Sequence, residues 1–422
     1  MLWAVSDPRP DTTFTVRTEL QVDGQAGGRT GVLSTPHGPL DTPAFTPVGT
    51  LASVKGLTPR HIAEVGSQAV LANAYHLYLQ PGAQIVDDAG GVGAFMGWAG
   101  PTFTDSGGFQ VMSLASRAAK VIDMEGDAPQ GAGTRNSRVK IDDDGVTFRS
   151  HRDGSAHRFT PEISIGVQHQ LGADVMFAFD ELTTLYDDKA YQEAAVERTH
   201  AWAWRCLAEH AKQTRTRVDK PLQSLWGVIQ GAQFRDLRRQ ATRGLLELSR
   251  RGQDELGRGF GGVGIGGAIQ KRTLGQIVGW CCEELPQSMP RHLLGISEPD
   301  DIFAGVENGA DTFDCVAPTR IARHAQIFTR DGRVRLINAR FRTDHRPLDL
   351  ESSCEVAHTF TRAYLHHLFK SGEMLGMTIA TMVNVAFINQ LMADIRGAID
   401  AGDYPAFKDE FLGRYYAGTL AK

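Results

Sequence analysis

From Gln68 onward the chain alternates short apolar runs with segments of helical spacing, and that rhythm narrows its fold more than any other feature. The runs are Ala69–Ala72, Thr102–Asp105, Val175–Asp180, Leu225–Gln230, Gly262–Gly267, His292–Ile296 and Thr312–Cys315, with a weaker eighth around Leu336–Phe341. Near-continuous apolar strands separated by helices imply a parallel sheet covered on both faces. Seven or eight such units favour a closed (β/α)8 TIM barrel over an open sheet. Helical stripes fit between them: Val196, Ala203 and Leu207 share one face, and Leu274, Ile277, Val278, Cys281 and Leu285 another.

The segments outside this rhythm read differently. Residues 1–12 form a loose lead-in, and Phe14–Val22 with Gly31–Val48 are expected as an antiparallel N-terminal cap. Ser116–Asp144, rich in Gly and charge, reads as a long mobile insertion, followed by a hairpin over Val146–Thr160 turning at Asp153-Gly154. From Phe360 the chain is helical, and Ile379, Val383, Phe387, Leu391, Ile395 and Ile399 make a packed i, i+4 ladder. The expected division is a catalytic barrel with its cap over 1–345 and a C-terminal subdomain with closing helices over 346–422.

A net charge of −5 gives no global attraction to nucleic acid or acidic membranes, so any polyanion site must be local. Five cysteines without a C-x-x-C pair fit reduced thiols rather than a disulfide framework. No basic, apolar leader opens the chain and no run of 18 apolar residues occurs, so a cytoplasmic location without membrane contact is expected.

In a barrel, chemistry gathers at the C-terminal ends of the strands. Those ends carry Asp105, Asp180, Gln230, Gly266, Gly267 and Asp314. One such Asp is often only a helix cap, but three from different strands converge on one mouth. Two carboxylates in one cleft allow a nucleophile and an acid/base, as in retaining glycosidases. A third Asp with an amide and a free backbone N–H suits the edge of a guanine-like heterocycle. Ser106-Gly107-Gly108 would bring backbone close to a ligand.

Gly262-x-Gly264-x-x-Gly267 matches a dinucleotide fingerprint, but its glycines alternate within a strand instead of opening the following helix. No P-loop, H-E-x-x-H or G-x-S-x-G motif is present. Between Arg320 and Arg346 there are eight arginines against Asp331 and Asp344, which is either a solvated hairpin or a footprint for a phosphate backbone.

Several longer stretches carry a resemblance. PAFTPVGTLASVKGLTP (Pro43–Pro59), NAYHLYLQPG, TDSGGFQVMSL, VTFRSHRDGS, FAFDE, GVIQG, HLLGISEPDD, FDCVAPTRIARH and TRAYLHHL resemble the tRNA-guanine transglycosylase, or queuine tRNA-ribosyltransferase, family over most of the chain. The resemblance implies a (β/α)8 barrel with inserts, a zinc-bearing C-terminal subdomain and a homodimer. It also implies exchange of guanine at the tRNA wobble position for a 7-deazaguanine, queuine or its precursor. Asp314 then resembles the nucleophile that attacks ribose C1′, and Asp105 the general acid/base. Asp180, Gln230, Gly266, Gly267 and Ser106 match the base-recognition set, with Phe109 stacking beside it. Arg320 and Arg323 fall where the family holds the anticodon-loop backbone, with the target base flipped out.

The departures define further expectations. Ser352, Cys354, Ala357 and Val383 stand where the family keeps C-x-C-x-x-C and a histidine, so Cys354 is the only matching ligand. A structural zinc site takes four donors, and no family-type zinc is expected here, although His358 or Glu355 are additional donors nearby. Leu182 replaces the usual Cys two places after the recognition Asp, and AIQKR follows Gly267 in place of an L-A-V-G-E type. Three alternatives stay open: a paralogue exchanging 7-deazaguanine in DNA or a nucleoside, a non-catalytic RNA-binding partner subunit, and a glycoside-processing barrel.

Overall fold

The computed structural model describes residues 12–22, 25–113, 139–218 and 220–420. Eight parallel strands close into a barrel in chain order: Ala44–Gly49, Val70–Ala72, Thr102–Thr104, Val175–Phe177, Ser224–Ile229, Gly262–Ile265, Arg291–Leu293 and Thr312–Cys315. The last pairs with the first, in the register Thr312↔Ala44, Phe313↔Phe45, Asp314↔Thr46 and Cys315↔Pro47. Seven of the expected strands are present.

The eighth is a correction. Leu336–Phe341 is no strand; its end, Ala339–Phe341, is a turn of 3-10 helix. The missing member is Ala44–Gly49, the tail of what reads in sequence as one antiparallel cap strand. The cap itself is a three-stranded antiparallel sheet of Thr13–Val22, Gln25–Thr35 and Gly38–Thr42. Only one residue, Pro43, separates it from the barrel.

Large rings fill the barrel interior, and small residues make room for them. Phe103, Phe177 and Trp226 are buried together, with edge-on contacts at ring-centroid separations of 6.0 Å and 5.9 Å to Trp226. A Cβ at Gly262 would lie 2.5 Å from the Trp226 ring, and one at Gly264 would lie 3.0 Å from Phe177. The G-x-G-x-x-G match is therefore packing geometry in a barrel strand, where any larger side chain overfills the core.

Residues 116–138 of the expected insertion lie outside the described residues. Val139–Asp142 forms a strand beside Gly145–Arg149, which pairs in turn with Ala156–Phe159, so the expected hairpin is part of a three-stranded sheet. The C-terminal ladder forms one helix, Met374–Ala401, with all six ladder residues buried. By length and composition that helix is apolar enough to cross a membrane, but 67% of its most apolar window is buried inside the protein, as in a core helix. Phe387, Leu391 and Ile395 from it, and Tyr404, Phe411 and Tyr415 from the last helix, join the same core as the barrel.

A buried ion pair ties the cap to the barrel floor. Arg29 donates from Nε and Nη2 to the two carboxylate oxygens of Asp311, both at 2.8 Å, and Asp311 also accepts from the Arg291 backbone N–H at 2.8 Å. The remaining Arg29 donors reach Gln287 and the Met289 carbonyl, so the guanidinium is well satisfied. Both side chains are essentially inaccessible, at 2% and 0%. Removing one partner of such a pair leaves a buried charge uncompensated. Arg29→Met is expected to lower unfolding free energy by about 3–5 kcal/mol, read from urea denaturation.

Candidate active site

The strand order brings the sequence-singled carboxylates to one mouth. Asp105 immediately follows Thr102–Thr104, Asp180 lies just beyond Val175–Phe177, Gln230 follows Ser224–Ile229, and Asp314 sits within Thr312–Cys315. Asp105 accepts from the Ala74 backbone N–H at 2.8 Å, from Gln110 Nε2 at 3.1 Å and from Asn73 Nδ2. Burial is the largest influence on it and pushes its pKa up to about 7, with the nearby Asp314 charge adding to the rise and the Ala74 and Gln110 donors opposing it. A carboxyl that is half-protonated near neutral pH can both give and take a proton.

Asp180 is connected to the same site through its neighbours. Ser106 Oγ donates to Asp180 Oδ1 at 3.3 Å, and Gln230 Nε2 donates to Oδ2 at 2.6 Å. Burial raises the Asp180 pKa to about 6, against the pull of those two hydrogen bonds. One N–H of the Gln230 amide is thus engaged by Asp180, and the second has no protein acceptor among the described residues. Gln230 Oε1 is buried and makes no hydrogen bond among the described residues.

Glycines let backbone line this pocket. Gly267 has φ of +86°, and a Cβ there would lie 2.4 Å from Gln230 Oε1. A Cβ at Gly108 would lie 3.1 Å from the Asp180 carbonyl oxygen. The Gly266 carbonyl accepts from Arg238 Nη1 at 2.7 Å, which fixes the turn that carries Gly267. Arg238 is fully buried and also holds the Ala232 and Ile229 carbonyls, so it braces two strand ends at once.

The remaining expected residues lie on the segments that follow Asp105 and Asp314 in the chain. Phe109 is on the short helix Gly108–Ser113, 41% exposed. Asp314 Oδ1 accepts from the Gly295 backbone N–H and contacts His292 Nε2, each at 3.0 Å. Arg320 is exposed on the helix Ala317–Ala322 directly after the Asp314 strand. Arg323 caps that helix, donating to the Thr319 carbonyl at 2.8 Å, and burial plus the Arg320 charge lowers its pKa from the ordinary guanidinium value.

Of the eight arginines in this region, Arg330, Arg333 and Arg346 pair with Asp394, Glu298 and Asp344. Arg320, Arg335, Arg340 and Arg342 are exposed and have no carboxylate partner among the described residues. Cationic capacity therefore remains in this stretch even though the hairpin Gln326–Thr329 and Gly332–Arg335 is formed.

Sequence reasoning assigned no role to Asn73, Gln110, Arg238 or His292. Asn73 follows the strand Val70–Ala72 directly, so the same reading of strand ends would have found it. It also caps the helix Ala74–Leu79, accepting from the His76 N–H at 3.0 Å.

The residues where the family keeps zinc do not fit a metal. Ala357 and Val383 are 0% and 1% exposed in one apolar cluster with Leu348, Leu365 and Ile379. Ser352 Oγ accepts from the Cys354 backbone N–H at 3.2 Å. Among the described residues no three His, Cys, Asp or Glu side chains come together as a metal site. At the other departure, Leu182 packs against the main core, and Lys271 of AIQKR pairs with Asp300 and Asp301 at 3.0 and 3.4 Å.

Comparison with known proteins bears on this geometry. The model of the family described as "Queuine tRNA-ribosyltransferase" matches residues 23–417. The chain belongs to that family. Proteins named queuine tRNA-ribosyltransferase are similar along nearly their whole length. That of Herpetosiphon aurantiacus is 42% identical over 393 residues, covering 93% of this chain and 91% of the relative. That of Symbiobacterium thermophilum is 41% identical over 408 residues, covering 96% and 93%. That of Moorella thermoacetica is 41% identical over 413 residues, covering 97% and 100%. Membership makes the chain an enzyme of the pentosyltransferase type, built on a TIM barrel.

Proposed function

We propose that this enzyme is a base-exchange transglycosylase that replaces guanine by a 7-deazaguanine at the anticodon wobble position of tRNA. The observation that carries the reading is the contrast between two carboxylates at one mouth. Asp105 is driven toward its protonated form by burial, while Asp314 is held by donors on one oxygen. In the first step Asp314 attacks C1′ of the ribose as the C1′–N9 bond breaks. The electron pair leaves with the base, which takes the Asp105 proton. The result is a ribosyl ester on Asp314. The incoming base then gives its N9 proton to Asp105 and displaces the ester, restoring the carboxylate.

Asp180, Gln230 and the Gly266-Gly267 turn receive the Watson–Crick edge of the base, Ser106 steadies Asp180, and Phe109 stacks beside it. The target nucleotide must leave the anticodon-loop stack to reach this depth, and Arg320 and Arg323 supply phosphate contacts next to the nucleophile. The retained Asp105 and Asp314 favour an active enzyme over a non-catalytic RNA-binding subunit. The reading includes a homodimer working in the cytoplasm without membrane contact.

Incubation with labelled guanine and unmodified tRNA is expected to give incorporation that Asp314→Ala abolishes. Because Asp105 must begin protonated, the rate of base departure in a single turnover should fall about tenfold per pH unit above about 7. Incorporation unaffected by Asp314→Ala would refute the nucleophile. Exchange with DNA or a free nucleoside but not with tRNA would move the acceptor to a paralogue's.

We also propose that no family-type zinc is held at Ser352, Cys354, Ala357 and Val383, the apolar packing of Ala357 and Val383 standing in its place. Elemental analysis of the purified protein should give well below one zinc per chain. One tightly bound zinc per chain would contradict this.

A further inference from the structure

His292 is buried at 0% exposure in the barrel interior, between the rings of Phe103 and Phe177, with centroids 5.9 and 5.1 Å away. Its polar contacts come from the neighbouring strand Thr312–Cys315. In the parallel ladder His292 is in register with Thr312, and Asp314 lies two residues further along the same strand, on the same face. The side chains follow that placement: His292 Nδ1 is 2.8 Å from Thr312 Oγ1, and Nε2 is 3.0 Å from Asp314 Oδ1. Thr312, His292 and Asp314 thus form a chain of hydrogen bonds running up the inside of the barrel to the carboxylate at its mouth.

The chemistry of the three groups sets the direction of that chain. An ionised carboxylate only accepts, so the contact at Asp314 Oδ1 requires the proton on Nε2. With the imidazole neutral, that single N–H leaves Nδ1 as an acceptor for the Thr312 hydroxyl beside it. Gly295, with φ of +79°, turns its backbone N–H onto the same oxygen at 3.0 Å. Asp314 Oδ1 therefore accepts two hydrogen bonds, while Oδ2 accepts none among the described residues.

Resting on Asp314 as the nucleophile, we propose that His292 is its positioning residue, and that Thr312 and His292 present Oδ2 as the attacking atom. In the attack, an Oδ2 lone pair forms the bond to C1′ while the C1′–N9 pair departs with the base. Oδ1 becomes the ester carbonyl and keeps both donors. When the incoming base displaces the ester, the Oδ2–C1′ pair returns to the carboxylate, and the two donors on Oδ1 stabilise the charge that reappears. One fixed pair of hydrogen bonds serves both halves of the exchange without reorganising. Neither His292 nor Thr312 touches the reacting atoms.

The test compares His292→Phe, which keeps a ring of similar size among the aromatic neighbours, with His292→Gln, which keeps an amide donor. Loss of a hydrogen bond to a charged group predicts that His292→Phe lowers kcat for guanine exchange about 10- to 150-fold. KM for tRNA should stay within about threefold, since a positioning role acts on the reaction and not on RNA binding. His292→Gln should recover most of the loss, and Thr312→Val, which frees the ring to turn its proton to Nδ1, should lower kcat at least about fivefold at unchanged KM. If His292→Phe does not fold, the contrast between Thr312→Val and His292→Gln decides. A kcat within twofold of the parent in His292→Phe, or in Thr312→Val where that variant decides, overturns the proposal, provided Asp314→Asn is inactive. An active Asp314→Asn would instead remove the nucleophile on which it rests.

Discussion

Everything at the mouth of this barrel depends on how the sheet closes. The strand Thr312–Cys315 pairs with Ala44–Gly49 in one register, and that register decides which side chains of the last strand face inward. A slip of one residue would turn Asp314 away from the cavity and bring Phe313 into it. The opposite end of the same strand is held by Arg29 and Asp311, a bidentate pair that side-chain burial leaves no freedom to exchange with water. The cap is thus more than a cover. By gripping Asp311 at the barrel floor it fixes the strand whose other end carries Asp314, the proposed nucleophile, a span of only three residues.

The site itself is built by placing polar groups where water is scarce and then satisfying only part of them. Asp105 has several donors and its pKa is still pushed up to about 7, because burial outweighs the hydrogen bonds that favour its charge. Asp180 follows the same rule with two side-chain donors. Gln230 Oε1 and Arg238 Nη2 are buried without hydrogen-bond partners among the described residues, both close to Gly267. Unmet polar groups of this kind cost stability in the resting protein and favour a ligand that supplies the missing partners.

Much of this was legible in the sequence. Seven barrel strands, the apolar ladder over Met374–Ala401 and the convergence of Asp105, Asp180, Gln230 and Asp314 all follow from period and position. The first barrel strand did not, for a physical reason. Ala44–Gly49 contains Pro47, which usually marks an edge or no strand at all, and no helix separates it from the cap. Its alternation therefore merges with the antiparallel strands before it. His292 was hidden for another reason: its role comes from a lateral neighbour, Thr312, twenty residues away, which no local pattern reveals. The G-x-G-x-x-G match was legible as no phosphate site, because its glycines alternate within a strand, and its first two glycines indeed answer to Trp226 and Phe177.

The proposed exchange requires a covalent bond between the ribose and one particular carboxylate, Asp314. That bond can be trapped by quenching the enzyme with tRNA in denaturant before the incoming base is added, digesting both polymers, and mapping the adduct by mass spectrometry. A ribose-derived mass shift confined to the peptide containing Asp314 is expected, with the guanine base absent from the adduct. A shift on the Asp105 peptide, or guanine release with no covalent species at any time in the turnover, would contradict it.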